Sequence, residues 1–134
     1  MIEMYTDGAT NETSKHSGVG IYLKLNGETI SLSVPLPYVS NHDAEFLAVI
    51  KALEYCAEHY PHEIISIRTD SQIVVDLIEN KQNNNKLFAA YMQKINALID
   101  EFPYVFCKWI PNVENAHADK LAKDACQIQQ KMRD

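Results

Sequence analysis

Four acidic residues stand where the backbone is expected to change its geometry. They are Asp7 in YTDGAT, Glu45 in SNHDAEFLAVIKALE, Asp70 in IRTDSQIVVD and Asp119 in NAHADKLAKDA. Each has an ordinary structural explanation. Asp-Gly is a common turn pair, an acid near a helix start complements the helix dipole, and Asp70 or Ser71 before an apolar-periodic run is a helix N-cap. Together they suggest more. Glu45 has Ala48 and Ala52 at helical spacing, and Asp119 has Ala116 and Ala122, where a solvated helix face carries longer polar side chains. Carboxylates brought together repel, and must share protons or bind cations. Oxygen ligands without thiols select hard ions, Mg²⁺ or Mn²⁺. Two such ions roughly 4 Å apart suit in-line attack of water on a phosphodiester.

The elements that would position these acids follow from periodicity. Residues 1–6 alternate as a strand that meets a turn at Asp7-Gly8, and GVGIYLKL (18–25) and TISLSVPL (29–36) flank Asn-Gly, a strong hairpin signal. Phe46, Val49, Ile50, Leu53 and Cys56 mark a helix over 44–59, and IISIRT (64–69) is a buried strand. Ile73, Val74, Leu77 and Ile78 give a short helix, broken by the asparagine run at 80–85. A further helix over 87–102 stops at Pro103, a strand covers 104–110, PNVEN is a loop, and a last helix spans 116–132. The order β-β-β-α-β-α-α-β-α predicts an antiparallel meander whose later strands return through helices, so they pair in parallel. Helices then cover both faces of one mixed sheet. If strands one and four are neighbours, Asp7 and Asp70 sit side by side, at the end of the sheet where sites collect.

Composition bounds the partners. The chain has 134 residues, 18 acids against 12 lysines and arginines, and a formal net charge of −6. That sign opposes a bulk electrostatic grip on nucleic acid unless bound cations offset it. No apolar run suits a membrane span, and no secretory leader is evident. Three unpaired cysteines, Cys56, Cys107 and Cys126, point to reduced thiols in a cytoplasmic protein. They lie on apolar-rich elements and read as small core residues. The Asn11 glycosylation sequon is a chance match without a leader. His59 and His62 are three apart, but Pro61 interrupts them and no further ligand accompanies them, which argues against zinc. Trp109 reads as a core or rim residue, with base stacking as the alternative.

YTDGA, AEFLAVIKALE, TDSQ and ENAHADKLA come in an order and at a spacing by which the chain resembles the ribonuclease HI family over nearly its whole length. The resemblance implies an α/β ribonuclease H-like fold in one domain over 1–134. Its five-stranded mixed sheet has the order 3-2-1-4-5, with the first three strands antiparallel and helices on both faces. It implies that Asp7, Glu45, Asp70 and Asp119 are the catalytic carboxylates and the ligands of two Mg²⁺ or Mn²⁺ ions. The implied reaction is hydrolysis of the RNA strand of an RNA–DNA hybrid, leaving 5′-phosphate and 3′-hydroxyl ends. By position, Ser40 falls where the family contacts a DNA-strand phosphate. Asn41 and Gln72 match residues that touch the minor groove, where the 2′-hydroxyl distinguishes RNA. Asn115 matches the polar residue preceding the last acid.

The pattern departs from the family in places. NETSKHS replaces the usual Gly-Pro-rich turn, and His42 stands where an asparagine is common. The loop before the last acid is short, and His117 lies about 200° around the helix from Asp119, so it should face elsewhere. ENKQNNNKLF holds only two lysines, so this is a short type without the basic protrusion. Two functions remain in view: an active monomeric hybrid nuclease, and a nonhydrolytic relative that binds nucleic acid or a protein partner.

Overall fold

The computed structural model describes residues 1–80 and 86–133, with side chains described to residue 128. Five strands, β1 (Ile2–Asn11), β2 (His16–Leu25), β3 (Glu28–Leu36), β4 (Ile65–Thr69) and β5 (Val105–Trp109), form one sheet in the order β3-β2-β1-β4-β5. β1 runs antiparallel to β2 and parallel to β4, β3 is antiparallel to β2, and β5 is parallel to β4. The sheet order implied by the resemblance is therefore the one observed. The hairpin joining β2 to β3 turns on Asn26 (φ 51°) and Gly27 (φ 82°). Two successive positive φ angles match the right-handed twist of the strands, which explains the Asn-Gly pair.

β1 is longer than expected. It passes straight through Asp7-Gly8 and ends at Asn11. The turn comes afterwards, where Asn11 Oδ1 accepts from the backbone N–H groups of Thr13 (3.0 Å) and Ser14 (3.1 Å) and Lys15 takes φ 59°. Gly8 is needed for closeness rather than for turning. A Cβ there would lie 2.5 Å from Ala44 O and 2.6 Å from Glu45 N.

Helix α1 (Asn41–His59) packs on β1 and β2, and its Phe46, Val49, Ile50 and Leu53 form the core with Met4, Ile21, Leu23, Ile65 and Ile67. Helices α2 (Gln72–Asn80) and α3 (Ala89–Ile99) extend this layer, and α3 packs against α1. α3 is shorter than the expected 87–102, because the bonds from Glu101 N–H to Leu98 O and from Phe102 N–H to Ile99 O tighten its end. The expected break at 80–85 falls on residues 81–85, outside the described residues. PNVEN, expected as a loop, contains a 3₁₀ turn at Asn112–Asn115. The last helix, α4 (Ala116–Arg133), lies across β1, β2 and β3 on the opposite face. Gly18 and Gly20 admit it: a Cβ on Gly20 would collide with the Ala118 carbonyl and the Ala122 nitrogen, and one on Gly18 would lie 2.5 Å from Ala125 Cβ. Among the described residues no helix is long and apolar enough to cross a membrane.

Candidate metal centre

Asp7 sits inside β1 and Asp70 directly follows β4. The pairing of Tyr5 with Arg68 in parallel register sets the two carboxylates level with each other. Glu45 lies in the second turn of α1, not the first, because the helix begins at Asn41. It leans over Asp7 because Gly8 lets the α1 backbone approach β1. One carboxylate oxygen from each of Asp7, Glu45 and Asp70 lies within 4.8 Å of the others. Asp7 is 6% exposed and Glu45 9%. Asp119, in the first turn of α4, is near enough to Asp7 for their side chains to hydrogen-bond, and it pairs with Lys123 at 2.9 Å.

This cluster is unstable as a set of bare charges. Burial, then the charge of Glu45, pushes the Asp7 carboxyl up to about 10. Burial, reinforced by Asp70, pushes Glu45 up to about 7 despite its bond to Asp7 and the Gly8 backbone. The two acids therefore share protons in the absence of cations. Glu45 Oε2 is buried without a hydrogen-bond partner, and the donors at the centre are all oxygen. Such a set fits a hard divalent ion.

Asp70 is held from several sides. Asn115, 1% exposed, uses one amide nitrogen to donate to Asp70 Oδ1 (3.0 Å) and to the Thr6 carbonyl (2.9 Å). The Trp109 indole N–H donates to the Asp70 carbonyl at 3.2 Å. The next residue, Ser71, donates its N–H to Thr69 Oγ1 (3.1 Å), and its carbonyl accepts from Val75 at the start of α2.

A groove of about 510 Å³ opens over the cluster and is lined by Asp7, Glu45, Asp70, Asp119, Asn41 and Lys123 among others. A second, of about 460 Å³, continues past Asn41 and His42 to Ser71 and Gln72. Asn41 and Gln72 therefore border the carboxylates, although Gln72 Nε2 is bonded to Asp76 Oδ1 at 2.8 Å. Ser40 lines neither groove. It caps α1, accepting from the Asp43 N–H and donating to Asp43 Oδ2. Asn115 lies behind Asp70 rather than in the groove. His117 faces away, as its helical angle requires, stacking on Tyr22 with ring centroids 3.8 Å apart. The three cysteines are free and buried, and burial pushes the Cys56 and Cys107 thiols up to about 12, which makes them poor nucleophiles.

Sequence reasoning missed Lys123 and the bracing role of Trp109. The first had a local signal, a lysine four residues after an acid on a helix. The second depends on β5 lying beside β4, which no local pattern reveals.

The reverse transcriptase-like family matches residues 5–125. The chain is 35% identical over 128 residues to the protein named "Putative hydrolase EbsB" of Enterococcus faecalis, covering 95% of each. It is 30% identical over 138 residues to a ribonuclease H of Mesorhizobium japonicum, covering 92% of this chain and 76% of that one. Among solved structures, LC11-RNase H1 in complex with an RNA/DNA hybrid superposes with a TM-score of 0.87 at 24% identity, over 97% of this chain and 99% of that one. Fold, family match and relatives agree: the chain belongs to the ribonuclease H family, as one of its reverse transcriptase-like members.

Proposed function

We propose that this protein is a metal-dependent endonuclease that hydrolyses the RNA strand of RNA–DNA hybrids, leaving 5′-phosphate and 3′-hydroxyl ends. The observation that carries this reading is the convergence of Asp7, Glu45 and Asp70 oxygens within 4.8 Å, with Asp119 beside them, under an open groove. The ribonuclease H relatives and the hybrid-bound structure neighbour support the choice of substrate.

Asp7, Glu45, Asp70 and Asp119 would hold two Mg²⁺ or Mn²⁺ ions. Such ions, when bound, activate water and stabilise the leaving oxygen of an in-line displacement. The chain supplies the rigid frame. Asp7 is fixed by its strand, Asp70 by Asn115 and Trp109, and Glu45 by the close packing of α1 on Gly8. Asn41 and Gln72 stand where they can reach a minor groove laid across the two openings, and Ser40 presents the N-terminus of α1 nearby. Asn115 serves the substrate indirectly, through Asp70. One chain provides all four carboxylates, so a monomer would suffice for the reaction, and its free thiols suit the reducing cytoplasm.

The test is incubation of the purified protein with end-labelled RNA–DNA hybrid, double-stranded RNA and single strands, in Mg²⁺ or Mn²⁺. Metal-dependent cuts confined to the RNA of the hybrid, and lost in Asp70→Asn, are expected. Binding without cleavage in either ion would instead support the nonhydrolytic relative.

A further inference from the structure

Lys123 follows Asp119 by one turn of α4 and pairs with it at 2.9 Å. Asp119 is at the same time within hydrogen-bonding reach of Asp7. Its carboxylate is therefore shared between an ammonium on one side and the buried cluster on the other. Among the described residues lining the two grooves at the carboxylates, Lys123 is the single lysine or arginine. It also lines a further opening of about 550 Å³, with Thr10, Asn11, Cys126 and Gln127, which continues the first groove past Ala9. Helix stability does not account for this placement. Both partners are open to solvent, 66% and 43% exposed, and such i,i+4 pairs contribute little. α4 carries a second pair of the same kind, Lys120 with Asp124 at 3.1 Å, that lines none of these openings.

Resting on the metal-dependent reading above, we propose that Lys123 is a positioning residue with two stations. It holds Asp119 as a stand-in cation, competes with the divalent ion for that carboxylate, and once displaced meets a phosphate of the bound strand. The cluster without metal lacks positive charge, and its members cover the deficit differently. Asp7 and Glu45 hold protons, whereas Asp119 uses Lys123. A solvent-open ion pair is screened and exchanges readily. A divalent ion is instead held by several carboxylate oxygens together, and its charge repels a neighbouring ammonium. The flexible four-carbon stem of lysine lets the ammonium move without any shift of α4. Because Lys123 borders both the carboxylate groove and its continuation, the displaced charge stays over the path of a strand crossing the cluster. In a chain of net charge −6, one such contact is a large share of the grip on phosphate.

The experiment begins with calorimetric Mn²⁺ titration of the substrate-free protein. Lys123→Gln should tighten Mn²⁺ binding about 3- to 10-fold, because it removes both a competitor and a like charge. Lys123→Arg keeps the charge and should stay near wild type. Lys120→Gln, which breaks the comparable pair outside the grooves, should leave the affinity unchanged. Anisotropy of labelled RNA–DNA hybrid in Ca²⁺ then reads the second station. Lys123→Gln should lower the salt slope of the logarithm of affinity by about 0.9, and Lys120→Gln should not. Melting temperatures in EDTA should be retained in all three variants, since exposed pairs contribute little. Mn²⁺ affinity that is unchanged or weaker in Lys123→Gln, or equally tightened in Lys120→Gln, would overturn the competition, and an unchanged salt slope would overturn the phosphate contact. Either result leaves the metal centre standing. A wild-type protein that binds no Mn²⁺ would overturn the centre and this inference together.

Discussion

A single amide nitrogen of Asn115 joins the Asp70 carboxylate, at 3.0 Å, to the Thr6 carbonyl of β1, at 2.9 Å. The residue after strand β4 is thereby locked to the strand that carries Asp7. Charge-assisted hydrogen bonds from a buried donor orient a ligand as surely as the strand itself does.

Asn115→Ala should therefore loosen Asp70 and leave the Thr6 carbonyl without this donor. A stability loss of about 1–3 kcal/mol is expected, with metal affinity falling about 10- to 100-fold. Urea unfolding and calorimetric Mn²⁺ titration read the two effects separately. Unchanged metal affinity in a folded variant would reduce Asn115 to a structural bond.

Asp7→Asn should remove hydrolysis by several orders of magnitude while raising the stability of the metal-free protein. The carboxylate it replaces is desolvated and faces Glu45 and Asp70, so its charge opposes folding. Thermal melts in EDTA check this. A variant that cleaves normally, or one clearly less stable than wild type without metal, contradicts the assigned centre.

The metal-free protein should lose stability as pH rises. Both Asp7, at about 10, and Glu45, at about 7, hold protons more tightly folded than unfolded. The folded state then binds more protons above about pH 4, and the slope of unfolding free energy with pH is negative from there through the folded values. Divalent metal competes with those protons and should reverse the trend. Melting temperatures at about pH 5, 7 and 9, with EDTA and with Mg²⁺, distinguish the cases. A metal-free Tm that climbs over this window would refute the shared-proton description.

Gly20→Ala should be costly although it lies on the far side of β2 from the main core. Its Cβ meets the backbone of α4 at Ala118 and Ala122, and helix backbone cannot yield as a side chain can. Overpacking of this kind costs about 1–3 kcal/mol, and the displaced helix carries Asp119. Gly27→Asn, in the hairpin turn, has open space around it but holds an L residue at φ 82°, so it should cost about 1 kcal/mol through the backbone alone. Denaturant midpoints for the two variants provide the comparison.

Much of the architecture could be read from local pattern. Alternation in β1, Asn-Gly at the hairpin, and the 3.6-residue repeat in α1 each report a preference the tertiary structure keeps. That Asp7, Glu45 and Asp70 come together was legible because their motifs occur together and in order. The misreadings have a common cause. Asp-Gly resembles a turn locally, yet Gly8 exists for the approach of α1, some 35 residues away. Asn115 and Trp109 act on Asp70 across the sheet, and no spacing within one element encodes such a contact. Ser40 shows the converse: its short-range capping geometry is what the structure most plainly displays.

The central place of β1 also has a kinetic meaning. Its partner β2 follows immediately, but β4 and the Asn115 contact to Thr6, 109 residues away in sequence, demand long-range closure. The β1–β2–β3 meander can therefore zip early, while the acids remain far apart and do not repel. The charge conflict arises when α1 and β4 bring Glu45 and Asp70 up to Asp7, which requires closing long stretches of chain. Divalent ions, which recognise the assembled cluster, would then leave the refolding rate almost unchanged and slow unfolding. A bound metal would act as a latch on the finished molecule rather than as a nucleus for making it.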